Sequence, residues 1–534
     1  MEDTASDVIV VGSGAAGLTA ALAAAANGLR VTIVEKADTI GGTSAMSGAG
    51  IWVPGNHHAA ASGIDDGPAD ALAYLRAAAP EGWRETEDRL WQSFVEYAPD
   101  MLRFVEAHSP LHFDLTDEAD PLRDLPGWKS RGRMLSPLPL SLRILGSFGR
   151  RLRRSTQPHL FTYHEMIGTD VYHHPVRTSI VLGPRLAWRW LTGRRGQGTA
   201  LIAGLLKGCL DSGCTILPST PAAGLETDKE GRVTGVVVET GDGKATLTAR
   251  RGVVLASGGF EWDPDLLAEY FPGPIDFIAS PRTNSGDGHR MAMAVGAAMA
   301  HMDQANINSA IPATYDGQPH GMALFYHVEP NAILVDGTGR RFVNEAVFNL
   351  GEVLDKRDAA TGLPVHRPVW LISDARFLRR APIIRWYARR DDAWKVHADT
   401  VAELAARIGV PADALVDTVR RFNQAIASGQ RDAFGRLKAP AGHGRRSRDG
   451  LEAIERAPFV AISFNRSILA TKGGPRTDAR ARVLRPDGSV IEGLYCCGVA
   501  MANPIGTRAV GAGTTLGPNM AWGYIAGRTI CESG

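Results

Sequence analysis

Six residues near the N-terminus, Gly12-Ser13-Gly14-Ala15-Ala16-Gly17, leave the chain few folds to choose from. The apolar run Asp7–Val11 comes directly before them. The alanine-rich segment Leu18–Asn27 follows, then a β-branched run, Val31–Val34, ending at Glu35 and Lys36. Strand, glycine turn, helix and strand are the context in which GxGxxG marks a dinucleotide-binding unit rather than an ordinary turn. Gly12 permits the tight turn, Gly14 lets the backbone approach a pyrophosphate, and Gly17 lets helix and strand pack closely. The helix N-terminus then turns its free N–H groups and positive dipole end toward phosphate. Glu35 stands where a carboxylate accepts hydrogen bonds from ribose hydroxyls.

The run continues as Gly41-Gly42-Thr43-Ser44-Ala45-Met46-Ser47-Gly48-Ala49-Gly50, closes on Ile51-Trp52-Val53-Pro54-Gly55-Asn56, and carries no charge. Gly42, Thr43, Ser44, Ser47, Gly48, Ala49 and Gly50 can lay N–H groups and hydroxyls along a phosphate and along a flat ring. A nicotinamide site has no need of such a stretch here and an FAD site does, so non-covalent FAD is the expected cofactor. The competing reading is a flexible Gly/Ser linker, and the apolar close argues against it.

A second half of the same site lies near the C-terminus. Gly493-Leu494-Tyr495-Cys496-Cys497-Gly498 reads as a strand ending at glycine. A long loop from Ala502 to Pro518 follows, and a helix begins near Asn519. This aims a second helix N-terminus at whatever the loop holds, where it would stabilise the N1/C2=O edge of a reduced, anionic flavin. Gly498, Asn503, Thr515 and Leu516 are candidate cofactor contacts here. Ala256, Ser257, Gly258 and Asp287 are further ones in the centre of the chain.

A chain of 534 residues is too long for one core and implies two or three domains. With 22% charged residues and a net charge of +1, neither global disorder nor a nucleic-acid partner is indicated. Five cysteines without CxxC or metal spacing read as a reduced, cytoplasmic protein with no metal site. The nucleotide fold starts at Asp7, which leaves no room for a signal peptide, and no apolar run nears the ~18–20 residues of a membrane span.

Helical periodicity runs through 64–110, and prolines make 111–160 irregular. Gly196–Gly213 reads as an amphipathic helix and Thr215-Ile216-Leu217 as a strand. Gly231–Glu239 and Lys244–Arg250 read as a hairpin across Gly241-Asp242-Gly243, and Gly252–Leu255 as a separate buried strand. Ala332–Asp336, Pro368–Ser373, Val401–Ile408 and Ala412–Ala427 give the middle of the chain its own strands and helices. The basic stretch Arg143–Arg154, with Trp188, Arg189, Trp190, Arg194 and Arg195, reads as a solvated face or a subunit contact in preference to a membrane contact.

Together these segments resemble the flavoprotein family of fumarate reductases and 3-ketosteroid dehydrogenases. The resemblance spans nearly the whole chain and rests on GGTSAMSGAGIWVPGN (41–56), ASGGFEWDP (256–264), NSGDGHRMA (284–292), GRRFVNE (339–345), TKGGPRTDARARVL (471–484) and GLYCCG (493–498). The close at 511–527, with IWVPGN and TKGGPRTD, is nearest the ketosteroid branch. The resemblance implies an α/β fold: a Rossmann-like, glutathione-reductase-like FAD-binding domain (1–277 and 460–534) carrying an inserted α+β catalytic or substrate domain (278–459).

It also implies an FAD-dependent dehydrogenase that introduces a C=C bond beside the ketone of a steroid or similar alicyclic substrate. Hydride passes to the flavin and a base, usually tyrosine, takes the α-proton, while a second tyrosine and a backbone amide polarise the ketone. Gly513 matches the amide. The tyrosine position four residues earlier is Ala509, and Pro121 and Leu122 stand where another tyrosine is often found. Tyr326 is the remaining tyrosine candidate. The alternative is a fumarate-reductase-like enzyme of an unsaturated carboxylate or enone, for which Arg508 would bind carboxylate and Arg376 would deliver a proton. Phe348 replaces that branch's relay arginine, and Val499 stands where the cofactor usually meets Asn or Glu. A flavin-binding protein without catalysis is the third reading. A small apolar ketone is the expected partner. The chain shows no haem CxxCH and no second dinucleotide fingerprint, and its electron acceptor is not legible.

Overall fold

The strand Ser6–Val11, apolar on both faces from Val8 onward, lies at the centre of a largely parallel sheet. The order across the sheet is Arg482–Leu484, Val490–Cys496, Gly243–Leu255, Ser6–Val11, Val31–Val34 and Thr215–Leu217. Val8 pairs with Val31 on one side and with Gly252 on the other, both parallel. The computed structural model describes residues 5–241, 243–388, 394–429, 432–436 and 450–533.

The helix Ala15–Ala26 runs back across this sheet and is buried from Ala15 to Ala25. Its alanines let the terminal helix, Leu516–Glu532, come very close. A Cβ on Gly523 would lie 2.3 Å from the Ala16 carbonyl oxygen, and one on Gly527 would lie 2.5 Å from that of Ala20. Both helices begin three residues earlier than the sequence suggests. The helix Gln197–Asp211, expected to be amphipathic, is buried on nearly every side. It packs against Ala15–Ala26 on one side and the segment Leu142–Arg151 on the other.

The separate strands expected around Gly252 are one strand, Gly243–Leu255. Its first half pairs antiparallel with Val233–Thr240 and its second half runs parallel to Ser6–Val11. The turn residue Asp242 lies outside the described residues.

The middle of the chain builds a four-stranded antiparallel sheet, ordered Ile333–Val335, Val369–Ser373, Phe459–Phe464 and Lys395–Ala398. Period-two alternation splits its side chains between two cores. Leu334, Leu371 and Ile462 face Tyr326, Phe377 and Trp394. Ile333, Val335, Ile372 and Ala461 face the helices Val401–Ile408 and Ala412–Ala427.

Residues 111–160, irregular by sequence, supply part of a small sheet. Met134–Pro137 lies between Ile51–Trp52 and Phe113–Leu115. The helices Tyr163–Thr169 and Pro175–Leu191 follow. The first has a reciprocal cap: Thr162 Oγ1 accepts from the Glu165 N–H and the Glu165 carboxylate accepts from the Thr162 N–H. That T-x-x-E signal was readable in the sequence.

Candidate active site

The glycine turn meets the neighbouring strand so tightly that side chains have no place there. Gly12 sits at φ +107, and a Cβ on it would lie 2.4 Å from the Ala256 carbonyl oxygen. A Cβ on Gly17 would lie 2.1 Å from the Gly12 carbonyl oxygen, so Gly17 sets the helix-to-turn packing. The turn opens onto a cleft of about 780 Å³, solvent mouth included. Gly12, Ser13, Gly14, Ala15, Ala16, Glu35, Lys36, Gly42, Thr43, Ser44, Ala256, Ser257, Gly258, Asp287 and Gly498 all line it. The structure adds Thr220, Thr283, Asn284, Val499 and Asn519.

Glu35 is held in place by the Ser13 N–H (3.1 Å), the Ser13 hydroxyl (2.5 Å) and the Ala37 N–H (2.9 Å). Lys36 spans the rim to Asp287 at 2.9 Å. Asn284 donates to Thr43 at 3.0 Å, and Ser44 accepts from the Ala15 N–H at 3.2 Å. The Gly42–Met46 stretch is a short helix and not a flexible linker. The N-cap of the Ala15–Ala26 helix, Gly14, has no side chain to cap it, and with the Ala15 N–H taken by Ser44 the helix N-terminus still lines the cleft at Gly14, Ala15 and Ala16.

The cleft fits a dinucleotide on independent grounds. Ser257 Oγ and Asn519 Oδ1 line it and are buried without any hydrogen-bond partner. Buried polar atoms are rarely left so, and a ligand with donors and acceptors satisfies them. Asn503 Nδ2 is also buried without a partner among the described residues, although Asn503 is not among the residues that line the cleft. Gly12→Ala is expected to cost about 1–3 kcal/mol in strain alone, and to yield protein with a greatly reduced flavin-to-protein absorbance ratio. Full flavin content in that variant would contradict the close approach described above.

Beyond Ser47, the run Gly48-Ala49-Gly50 faces a different set of groups. A Cβ on Gly48 would lie 3.1 Å from the Tyr163 ring, and one on Gly50 would lie 2.0 Å from Met134 Cε and 3.5 Å from the Tyr163 ring. Gly513, at φ +76, approaches from the other side; a Cβ there would lie 2.8 Å from Met134 Sδ and 2.7 Å from the Trp52 N–H nitrogen. The Gly513 carbonyl accepts from the Trp52 N–H at 3.2 Å. Thr515 and Leu516 open the terminal helix just after it. Trp52 is fixed in turn, because its Nε1–H donates to Asp120 at 2.9 Å, and Arg133 clamps Asp120 (2.8 Å) and Asp66 (2.6 Å). Pro121 therefore follows an aspartate that anchors the wall, and the tyrosine at this turn is Tyr74, whose buried hydroxyl accepts from the Leu122 N–H at 3.2 Å.

The tyrosine beside the glycine run is Tyr163. Its hydroxyl donates to Glu118 at 3.0 and 3.2 Å. Burial pushes the Glu118 carboxyl up to about 7, against the pull of the Tyr163 hydroxyl. Burial, and then the Glu118 charge, push the Tyr163 hydroxyl well above its ordinary value. Neither residue was singled out by sequence reasoning, which had no periodicity or motif to follow at Glu118.

Of the sequence candidates for catalysis, Gly513 lies here, and Tyr326, Arg376 and Arg508 are engaged elsewhere. Tyr326 is 1% exposed in the apolar core of the middle sheet, its ring edge-on to Trp394 and Phe464 at 5.6 and 5.4 Å. Its ring packs as a core residue does, and its hydroxyl is buried there without a hydrogen-bond partner among the described residues. Arg376 is tied to Asp374 at 2.6 Å and to Glu452 at 2.9 Å, a structural clamp between strand and loop. Arg508 is paired with Glu352 through three contacts of 2.6–3.1 Å. Beside it, Asn349 exchanges two hydrogen bonds with the Ala509 backbone, 3.0 and 2.9 Å. The loop before Gly513 is thus fastened by Asn349, by Glu352 and by the buried Tyr74 hydroxyl, which donates to the Val510 carbonyl at 2.9 Å.

Comparison with known proteins agrees with this geometry. A family model described as FAD binding domain matches residues 7–516. The 4-oxocyclohexanecarboxylate 2-dehydrogenase of Sinomonas cyclohexanicum is 34% identical, over 98% of this chain and 92% of that protein. The 3-oxosteroid 1-dehydrogenase of Mycolicibacterium smegmatis is 34% identical, over 99% of this chain and 97% of that protein. A crystal structure of 3-ketosteroid delta1-dehydrogenase from Sterolibacterium denitrificans, in complex with 1,4-androstadiene-3,17-dione, superposes with a TM-score of 0.88 at 32% identity, covering 99% of this chain and all of that one. The chain belongs to the FAD-binding-domain family of flavoprotein oxidoreductases, and its cofactor is FAD.

Proposed function

We propose that this protein is an FAD-dependent dehydrogenase that introduces a C=C bond beside the ketone of a steroid or smaller alicyclic substrate. The observation that carries the reading is the Tyr163–Glu118 pair, set against Gly48 and Gly50 and across Met134 from Gly513. The names of the relatives, which act on ring ketones, support the same class. Bound FAD supplies the hydride acceptor. The residues lining the cleft from Gly12 to Asp287 and from Gly498 to Asn519 are the ones that hold it.

The chain's own residues then have two tasks. Tyr163 Oη receives the proton from the carbon beside the ketone while its own proton moves to the Glu118 carboxylate. No free tyrosinate is required, so the raised pKa of Tyr163 is no obstacle. The Gly513 N–H donates to the ketone oxygen as enolate charge develops, and such donors are worth ~2.7–4 kcal/mol of barrier. One hydride and one proton leave, and the double bond forms.

The carboxylate alternative draws no support from the arginines, since Arg376 and Arg508 are each paired with carboxylates. The test is to mix the purified yellow protein separately with 3-ketosteroids, 4-oxocyclohexanecarboxylate and unsaturated dicarboxylates, each with a dye acceptor or reduced dye. Bleaching of the flavin by a ring ketone is expected. Turnover with a dicarboxylate alone would overturn the proposal.

A further inference from the structure

The helix Pro175–Leu191 is apolar on the wrong side. A surface helix normally turns its apolar stripe inward and its polar face to water. Here the inward face carries Thr178, Leu182 and Arg189, with Arg189 paired to Glu165 at 2.6 Å. The outward face carries Val176 (72% exposed), Ile180 (74%) and Leu191 (66%), flanked by Trp188 and Trp190. Contiguous apolar exposure of this kind marks an interaction surface.

Its charge is equally one-sided. Residues 138–195 contain ten arginines and two carboxylates, Glu165 and Asp170. Neither carboxylate is exposed, since Glu165 is taken by Arg189 and Asp170 by His173. Arg143, Arg150, Arg151, Arg154, Arg177 and Arg185 are exposed. Arg143 reaches the Leu191 carbonyl and Arg194 stacks over Trp188 at 4.8 Å, so the basic segment and the apolar helix end form one surface. Gly146, Ser147, Arg150 and Arg151 line a shallow recess at the turn of that segment.

We propose that this face docks on the surface of an anionic lipid bilayer. Tryptophans and aliphatic side chains enter the headgroup boundary while arginines meet phosphates, the composition that interfacial helices use. A second copy of the chain is the poorer occupant, because a two-fold contact sets the same patch against itself and would bring arginine against arginine. The contact is peripheral: among the described residues no helix is long and apolar enough to cross a membrane.

The test uses the full FAD-loaded chain and sedimentation with sucrose-filled vesicles. Binding to vesicles containing phosphatidylglycerol is expected to exceed binding to pure phosphatidylcholine vesicles by about tenfold or more, and to fall as salt rises. Ile180→Asp with Leu191→Asp, and separately Arg150→Glu with Arg151→Glu, should each abolish the difference while flavin content and dye-linked turnover of a dissolved substrate stay at wild-type level. Equal binding to both vesicles would overturn the proposal. So would a dimer by light scattering that Ile180→Asp converts to monomer.

Discussion

Tyr163→Phe is expected to lower turnover of the ring ketone by about 10²–10⁴-fold, the usual contribution of a positioned acid–base group, with flavin content unchanged. The ring still packs on Gly48 and Gly50 after the substitution, so the loss isolates the hydroxyl. Glu118→Gln should cause a loss of similar size, because the amide cannot accept the relayed proton. The pH dependence gives the sign. The working form of Glu118 is the carboxylate, and burial holds its pKa at about 7. The kcat/KM of the wild type should therefore climb as pH rises through about 7 and level off above it. In Glu118→Gln that limb should vanish. A Tyr163→Phe enzyme within about threefold of wild type would remove this pair from the chemistry. The same panel applied to Tyr326→Phe should show near wild-type turnover, since that ring lies in the core.

The second large effect concerns stability. Glu345, in the segment GRRFVNE, accepts from Arg341 at 2.6 and 2.7 Å, from Arg436 at 2.9 Å and from the Leu334 N–H at 3.0 Å. The side chains of Glu345 and Arg436 are fully buried. Arg436 also donates to the Ala332 and Glu329 carbonyls, and Arg341 reaches Asp432 at 2.7 Å. Burial already depresses Arg436 below its ordinary value, with Glu345 opposing it. Glu345→Ala strands a buried guanidinium, and breaking such a pair costs about 3–5 kcal/mol. For a unit of this size each kcal/mol moves the midpoint by roughly 2–4 °C. Calorimetry should show a transition lowered by about 10 °C. A shift under about 2 °C would mean that water replaces the carboxylate at little cost. Glu345→Gln, which keeps the acceptor for Leu334, should fall between the two.

These two sites differ in how much of them the sequence disclosed. The GRRFVNE segment is visible as a motif, yet its partner Arg436 lies 91 residues away in sequence. Tyr163 and Glu118 are 45 residues apart, in stretches dominated by prolines and irregular turns. The arginines Arg376 and Arg508 carried plausible roles as isolated residues. Their carboxylate partners came into view only with the fold, and they turn both arginines into clamps.

What the sequence settled alone is the α/β fold and its cofactor. A strand, a glycine turn and an alanine helix are local objects, set by φ/ψ freedom at Gly12 and by side-chain period within about twenty residues. Those rules need no knowledge of distant neighbours. The tertiary structure decided which hydroxyl meets which carboxylate, which charges are neutralised, and that Pro175–Leu191 turns its aliphatic side outward. Each depends on contacts between segments far apart in the chain, where no local period or turn preference carries the information.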